Sequence, residues 1–263
     1  MINNIGITSN DYQNITPFPH WYKDNILDET YAKLVQQEIL NIPLSMFDRY
    51  ENPFEQKYTL RDKNAYPYFT QKLIDYLISD QFVCILSDLV GCQLFVDTTK
   101  NFYGIHMYKP GDKLDIHVDA GLHPTLNIRK QLTLGIYLSS DWKKEYGCAL
   151  EIWDGEDASQ PNPKLKECIT QIHPMFNRLV LFTNTDNSWH GNPNPVAYDN
   201  PDARRIFITL SYLSNSDEYN NKKKKAYFVA RPNDPVDENK DKLRLLRADP
   251  EQCKLVYNMN NKI

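Results

Sequence analysis

At 263 residues the chain is long enough to bury a full core and suits one domain with elaborations. Its 41% hydrophobic and 24% charged content is that of an ordinary globular protein, and a net charge of −4 gives no electrostatic case for a nucleic-acid partner. No apolar run approaches a membrane span, no basic and apolar leader follows Met1, and five scattered cysteines (84, 92, 148, 168, 253) form no CxxC pair, so the expectation is reduced thiols, no membrane and a cytoplasmic setting.

In chain order, the stretch to about Asn25 is expected as an irregular arm broken by Pro17 and Pro19. Asp28 predicts the cap of a helix through Asn41, with Leu34, Val35, Ile39 and Ile42 on one stripe and Pro43 ending it. Helices follow over Tyr66–Ser79 and Asp80–Val90, the second stopped by Gly91. After Gly91 the texture changes to short runs rich in Val, Ile, Tyr, Thr and Phe, punctuated by Gly, Pro, Asn and Asp, as far as Leu213. That is the pattern of a β-sandwich or barrel, with the helices bracing one face. The stretch Asp154–Lys166 is a Pro/Asp/Asn-rich loop, and Lys222–Lys225 is expected to be a solvated turn and not an anion-binding patch. From Asp234 the tail carries a polar helix signature, Asp237 to Arg247, then an Asn-rich end, and is expected to be peripheral.

Chemistry concentrates in a few positions. Leu114-Asp115-Ile116-His117-Val118-Asp119 has the alternation of a strand, so His117 and Asp119 point to one side and Val118 to the other. His190 follows the apolar run Leu179–Phe182, at a strand end that runs into a polar turn. Two imidazoles and one carboxylate on one face of an octahedron leave three positions open, the donor set of a non-haem Fe(II) oxygenase. On these three residues alone, structural histidines and a chance HxD are the commoner reading. His106 shares a strand face with Tyr108 and is a candidate pocket residue; His20, His123 and His173 are given structural roles.

The flanking text carries a resemblance. Tyr108-Lys109-Pro110-Gly111-Asp112 precedes the HxD. Leu132 to Leu138, followed by Asp141-Trp142, is one strand and turn, and Gly147-Cys148-Ala149-Leu150-Glu151-Ile152-Trp153 is another strand. Pro174 to Phe182 leads to the distal His, and Arg204-Arg205-Ile206-Phe207-Ile208-Thr209-Leu210 closes the series. In that order the blocks resemble the 2-oxoglutarate/Fe(II)-dependent oxygenases, most closely the prolyl 4-hydroxylase branch, from about Phe102 to Leu213. The resemblance implies an α+β, mainly β chain: a double-stranded β-helix (jelly-roll, cupin-like) core over 93–230, an arm and supporting helices over 1–92, and a peripheral segment over 231–263, one domain overall.

It also implies roles. His117, Asp119 and His190 would bind Fe(II), with 2-oxoglutarate and O2 as cosubstrates and ascorbate as a candidate stimulant. Arg205 would pair with the distal carboxylate of 2-oxoglutarate, a task suited to a planar fork that stays charged when desolvated. Tyr137 would donate to the same carboxylate, and Thr209 and Tyr108 would line the cosubstrate. Arg204 is the alternative to Arg205, because adjacent strand residues face opposite ways. Cys148 departs from the family, standing where a second Gly is usual. The implied reaction is hydroxylation of an unactivated C–H bond, most simply of a prolyl residue in a peptide or protein. A free amino acid, sugar or other small metabolite is the alternative, since loops choose substrates. Candidate substrate-side residues are Arg129, in the loop Gly121–Lys130, and the segment Tyr58–Arg61. A zinc hydrolase would need no Arg205–Tyr137 clamp, a decayed binding or sensor module would not need intact ligands, and Asp119 fills the position that halogenating relatives leave open.

Overall fold

Asp28 caps a helix as predicted, its carboxylate accepting from the Tyr31 N–H, and Ala32, Val35 and Ile39 of helix α2 (Glu29–Leu40) are buried as one stripe. The computed structural model describes residues 2, 4–60, 62–215, 225–253 and 256. The arm before α2 is not irregular: Thr8 caps α1 (Ser9–Gln13), and a strand β1 (His20–Lys23) follows. Buried Asn177, at φ 58°, ties this arm down by accepting from the Leu27 N–H (2.9 Å) and donating to the Leu27 carbonyl (2.8 Å). After α2 comes an unanticipated hairpin, β2 (Asp48–Asn52) and β3 (Glu55–Leu60). Polar residues on both faces hide its period of two. Helices α3 (Tyr68–Leu77) and α4 (Asp80–Val90) then form as expected, with Pro67 and Ser79 at their N-caps; α4 ends on Gly91 at φ 73°, a left-handed cap that glycine takes without strain.

The β texture resolves into β4 (Phe95–Val96), β5 (Gly104–Tyr108), β6 (Leu114–Val118), β7 (Arg129–Tyr137), β8 (Leu150–Gly155), β9 (Leu165–Ile172), β10 (Arg178–Thr183), β11 (Trp189–Asn192) and β12 (Arg205–Ser214), then β13 (Tyr227–Phe228) and helix α5 (Glu238–Ala248). One antiparallel sheet runs β1-β10-β7-β12-β5-β3-β6-β11-β8-β9 and rolls into a nearly closed barrel, the double-stranded β-helix. Alternation along β7 separates its two faces. Leu132, Leu134 and Ile136 pack outward with α2, α3 and α4, so the helices brace one face of the sheet. Tyr137 points inward, where it joins Val180 and Phe182 of β10 against Leu150, Ile152 and Ile172 of the opposing strands. At Gly135 a Cβ would lie 1.9 Å from Phe207 Cζ, so only glycine lets that ring cross the strand.

β13 pairs with β6, setting Phe228 opposite His117. In the tail beyond it, α5, capped by Asp237, brings Lys240 Nζ to 2.5 Å from Asp115 Oδ2. Lys222 to Lys224 and the Asn-rich end lie outside the described residues. Among the described residues no helix is long and apolar enough to cross a membrane.

Candidate metal and cosubstrate site

Sheet register brings the two histidines together. β6 and β11 are antiparallel neighbours with His117 directly opposite His190, so His190 is held on a strand of its own and not in the turn that the sequence suggested. Each ring is oriented by a backbone carbonyl: His117 Nδ1 lies 2.9 Å from the Asp115 carbonyl and His190 Nδ1 lies 2.8 Å from that of Ser188. A carbonyl can only accept, so each neutral ring carries its proton on Nδ1 and presents an Nε2 lone pair. Asp119, just past β6, sets Oδ1 3.5 Å from His117 Nε2 and Oδ2 3.8 Å from His190 Nε2, and one ligand atom from each of the three residues lies within 4.8 Å of the others. Burial and the adjacent His117 push His190 down to about 3, which keeps it neutral. Burial opposes the charge on Asp119, but Lys130 and the two imidazoles hold its carboxyl well below the usual range. Phe228 stacks on His117 at 4.9 Å and Phe182 packs on His190 at 4.4 Å, walling the cluster with apolar surface.

The second half of the site is a buried cation. Arg205 is 1% exposed, and its Nη2 donates to the Tyr137 hydroxyl at 3.2 Å. Nε and Nη1 have no hydrogen-bond partner, and no carboxylate among the described residues pairs with this guanidinium. The rings of Tyr108 and Tyr137 lie over it, 4.6 and 4.8 Å from the guanidinium carbon. A buried, unpaired guanidinium costs several kcal/mol, so these donors are aimed at an anion the protein does not itself provide. Burial pushes the Tyr137 hydroxyl up to about 12, keeping its proton available to an acceptor. Arg204 precedes β12, half-buried, while its own carbonyl takes the Ser139 hydroxyl. Thr209 is on the same face of β12 as Arg205, though its hydroxyl donates to the Leu134 carbonyl at 3.1 Å. Cys148 sits at φ 52°, a conformation that glycine takes without strain, and its buried thiol is pushed up by desolvation, which keeps it protonated. The two halves meet in one apolar cluster, because Tyr137, Phe182 and Phe207 pack together.

β3 crosses beside this site and carries a buried ion pair, Lys57 Nζ to Glu55 Oε2 at 3.1 Å. Burial alone would raise the Glu55 carboxyl; Lys57 and Arg247 overcome that and bring it from 4.5 to about 2. A carboxylate whose folded value is depressed adds stability that is full above its unfolded value and lost as pH falls through the folded one. The pair is therefore expected to stabilise the protein fully above pH 4.5 and to fail near pH 2. Glu55→Gln should cost about 3–5 kcal/mol at neutral pH by stranding Lys57. Denaturant titrations at several pH values would show the acid limb shallower in the variant than in the wild type; parallel limbs would exclude this role for Glu55.

Of the substrate-side candidates, His106 is half-buried on the inner face, its ring 6.4 Å from Phe207. Tyr58 packs with the helix-facing core under Arg49, and Arg61 lies outside the described residues. Arg129 is not in a loop: it opens β7, buried, with Nη2 donating to the Asn184 carbonyl at 2.9 Å. Counting by twos from Tyr137 would turn Arg129 inward, but a bulge at Gln131 shifts the parity, and Lys130 reaches Asp119 instead, Nζ to Oδ2 at 2.6 Å. Lys130 is the site residue the sequence did not reveal. Its only signal is a pair of cations, Arg129 and Lys130, at the mouth of an otherwise largely apolar strand.

Residues 103–213 match the model of the 2OG-Fe(II) oxygenase superfamily. By fold the chain is similar to a Pseudomonas putida prolyl-4-hydroxylase (TM-score 0.57, 12% identity, covering 80% of this chain and 100% of that one). It is also similar to a Trichoplax adhaerens prolyl hydroxylase solved with a hypoxia inducible factor peptide fragment (TM-score 0.56, 17% identity, 78% and 89%). The carbocyclase SnoK from nogalamycin biosynthesis is alike to a similar degree (TM-score 0.53, 13% identity, 88% and 96%). No curated protein matches by sequence. The family uses Fe(II), 2-oxoglutarate and O2, and the His-Asp-His donor set and the unpaired Arg205 fit the metal and the cosubstrate carboxylate. Matched over residues 103–213 and alike in fold, the chain resembles the 2OG-Fe(II) oxygenase superfamily.

Proposed function

We propose that this oxygenase hydroxylates an unactivated C–H bond, with a prolyl residue of a peptide or protein as substrate. His117, Asp119 and His190 hold Fe(II), Arg205 and Tyr137 grip the distal carboxylate of 2-oxoglutarate, and Tyr108 and Thr209 line it. The observation that carries the reading is the buried Arg205 fork, with no carboxylate partner among the described residues, in the same apolar cluster as the wall of a His-Asp-His set. Bound together there, iron, 2-oxoglutarate and O2 supply the oxidant, with succinate and CO2 as co-products. The protein's own residues orient and exclude water: the Asp115 and Ser188 carbonyls fix the imidazoles, and Phe182 and Phe228 cover them. A zinc hydrolase has no use for the Arg205–Tyr137 arrangement.

The prolyl assignment rests on the motif order and on the likeness to the Pseudomonas and Trichoplax proteins. The comparable likeness to SnoK keeps a small metabolite as the second reading, with His106 on the pocket's inner face as the group to meet either substrate. A screen coupling succinate release to mass spectrometry separates them. Proline-containing peptides are expected to gain roughly the mass of one oxygen atom. Modification of free amino acids or sugars alone, with every peptide unchanged, would defeat the prolyl reading and leave the oxygenase intact.

A further inference from the structure

Lys130 has no part in the roles above, yet it touches the ligand set directly. Its ammonium is 2.6 Å from Asp119 Oδ2, its side chain is 9% exposed, and the Phe102 ring lies 5.1 Å from Nζ. Phe102 packs edge-on against His123, which is held by Thr99 (2.9 Å) and by buried Asp97 (3.2 Å). The wall behind the lysine is thus a bonded unit, and the bulge at Gln131 sets the direction of the side chain.

We propose that Lys130 is a positioning residue for the metal centre. It occupies Oδ2 of Asp119, turns Oδ1 toward His117 and the metal, and remains in place as a fixed cation when the metal is bound. This rests on His117, Asp119 and His190 being the ligands. The need for such a residue follows from counting positions. Two imidazoles and one carboxylate oxygen leave three sites, which a chelating 2-oxo acid and O2 fill completely, so a carboxylate binding through both oxygens would take one of them. An ammonium on Oδ2 prevents that. The cost is repulsion between Lys130 and the divalent ion, opposite in sign to the usual outer carboxylate on a ligating histidine, so Lys130 lowers metal affinity while it fixes geometry.

Co(II) binding to the full chain tests this, reading affinity by calorimetry and coordination by the visible spectrum, with no turnover required. Lys130→Met should bind Co(II) on the order of tenfold more tightly or better, with an altered spectrum as the second oxygen of Asp119 joins the metal. Lys130→Gln, which keeps a donor without the charge, should bind more tightly with the wild-type spectrum. Lys130→Arg should resemble the wild type in both. A Lys130→Met protein with wild-type affinity and spectrum would overturn the proposal, because the lysine would then have left Asp119 on loading. Weaker binding with an unchanged spectrum would overturn it too, making Lys130 a structural prop. If the wild type bound no Co(II), or if Asp119→Ala bound it as well as the wild type, the ligand assignment itself would fail, a result distinct from indifference to Lys130 alone.

Discussion

Arg205→Ala is expected to raise the apparent KM for 2-oxoglutarate by on the order of a hundredfold, the loss of a charge-assisted bidentate contact of a few kcal/mol. Arg204→Ala, altering a half-buried residue outside β12, should leave that KM within about twofold. The contrast is sharp because the two side chains are adjacent in sequence. Only Arg205 is enclosed by Tyr108 and Tyr137 with two nitrogens lacking partners. Steady-state kinetics with varied 2-oxoglutarate decides it, and reversed effects would mean that the strand register has been assigned one residue out.

The second large effect belongs to the ligands. His117→Ala, Asp119→Ala and His190→Ala should each bring bound iron to background and activity below about a hundredth of wild type, since even outer partners of ligands are worth about 10–100-fold. Metal analysis of purified protein together with turnover checks this. Substantial activity in any one variant would remove that residue from the metal site. The three should fail alike, because two facing strands and the residue after one of them supply a single face, and no loop among the described residues offers a substitute ligand set.

Much of this was legible in the chain. HxD at a strand end brings two candidate ligands to one side by period two, and the caps at Asp28 and Gly91 mark helix ends by local chemistry. Alternation allows only one of Arg204 and Arg205 to face inward, and the spacing to Thr209 in the resemblance favoured Arg205. What was not legible depends on features that alternation cannot express. The bulge at Gln131 exchanges Arg129 for Lys130 at the metal face, and no residue-by-residue count anticipates an extra residue in a ladder. The β2–β3 hairpin was hidden because Glu55 and Lys57 are buried against each other, where polar text argues for a surface. β1 and β13 are short and take their conformation from partners, β10 and β6, distant in sequence. His190 looked like a turn residue because β11 is only four residues long and is held from both sides.

The central claim is that one site binds iron through His117, Asp119 and His190 and chelates 2-oxoglutarate against Arg205. Its most direct test is an anaerobic titration of 2-oxoglutarate into the Fe(II)-loaded protein, followed by the visible charge-transfer absorption of a ferrous 2-oxo acid chelate. The account predicts a saturable band in the wild type, absent with Zn(II), whose filled d shell has no such transition, and shifted to far higher 2-oxoglutarate in Arg205→Ala. Stoichiometric Fe(II) binding with no band at any 2-oxoglutarate concentration would contradict it.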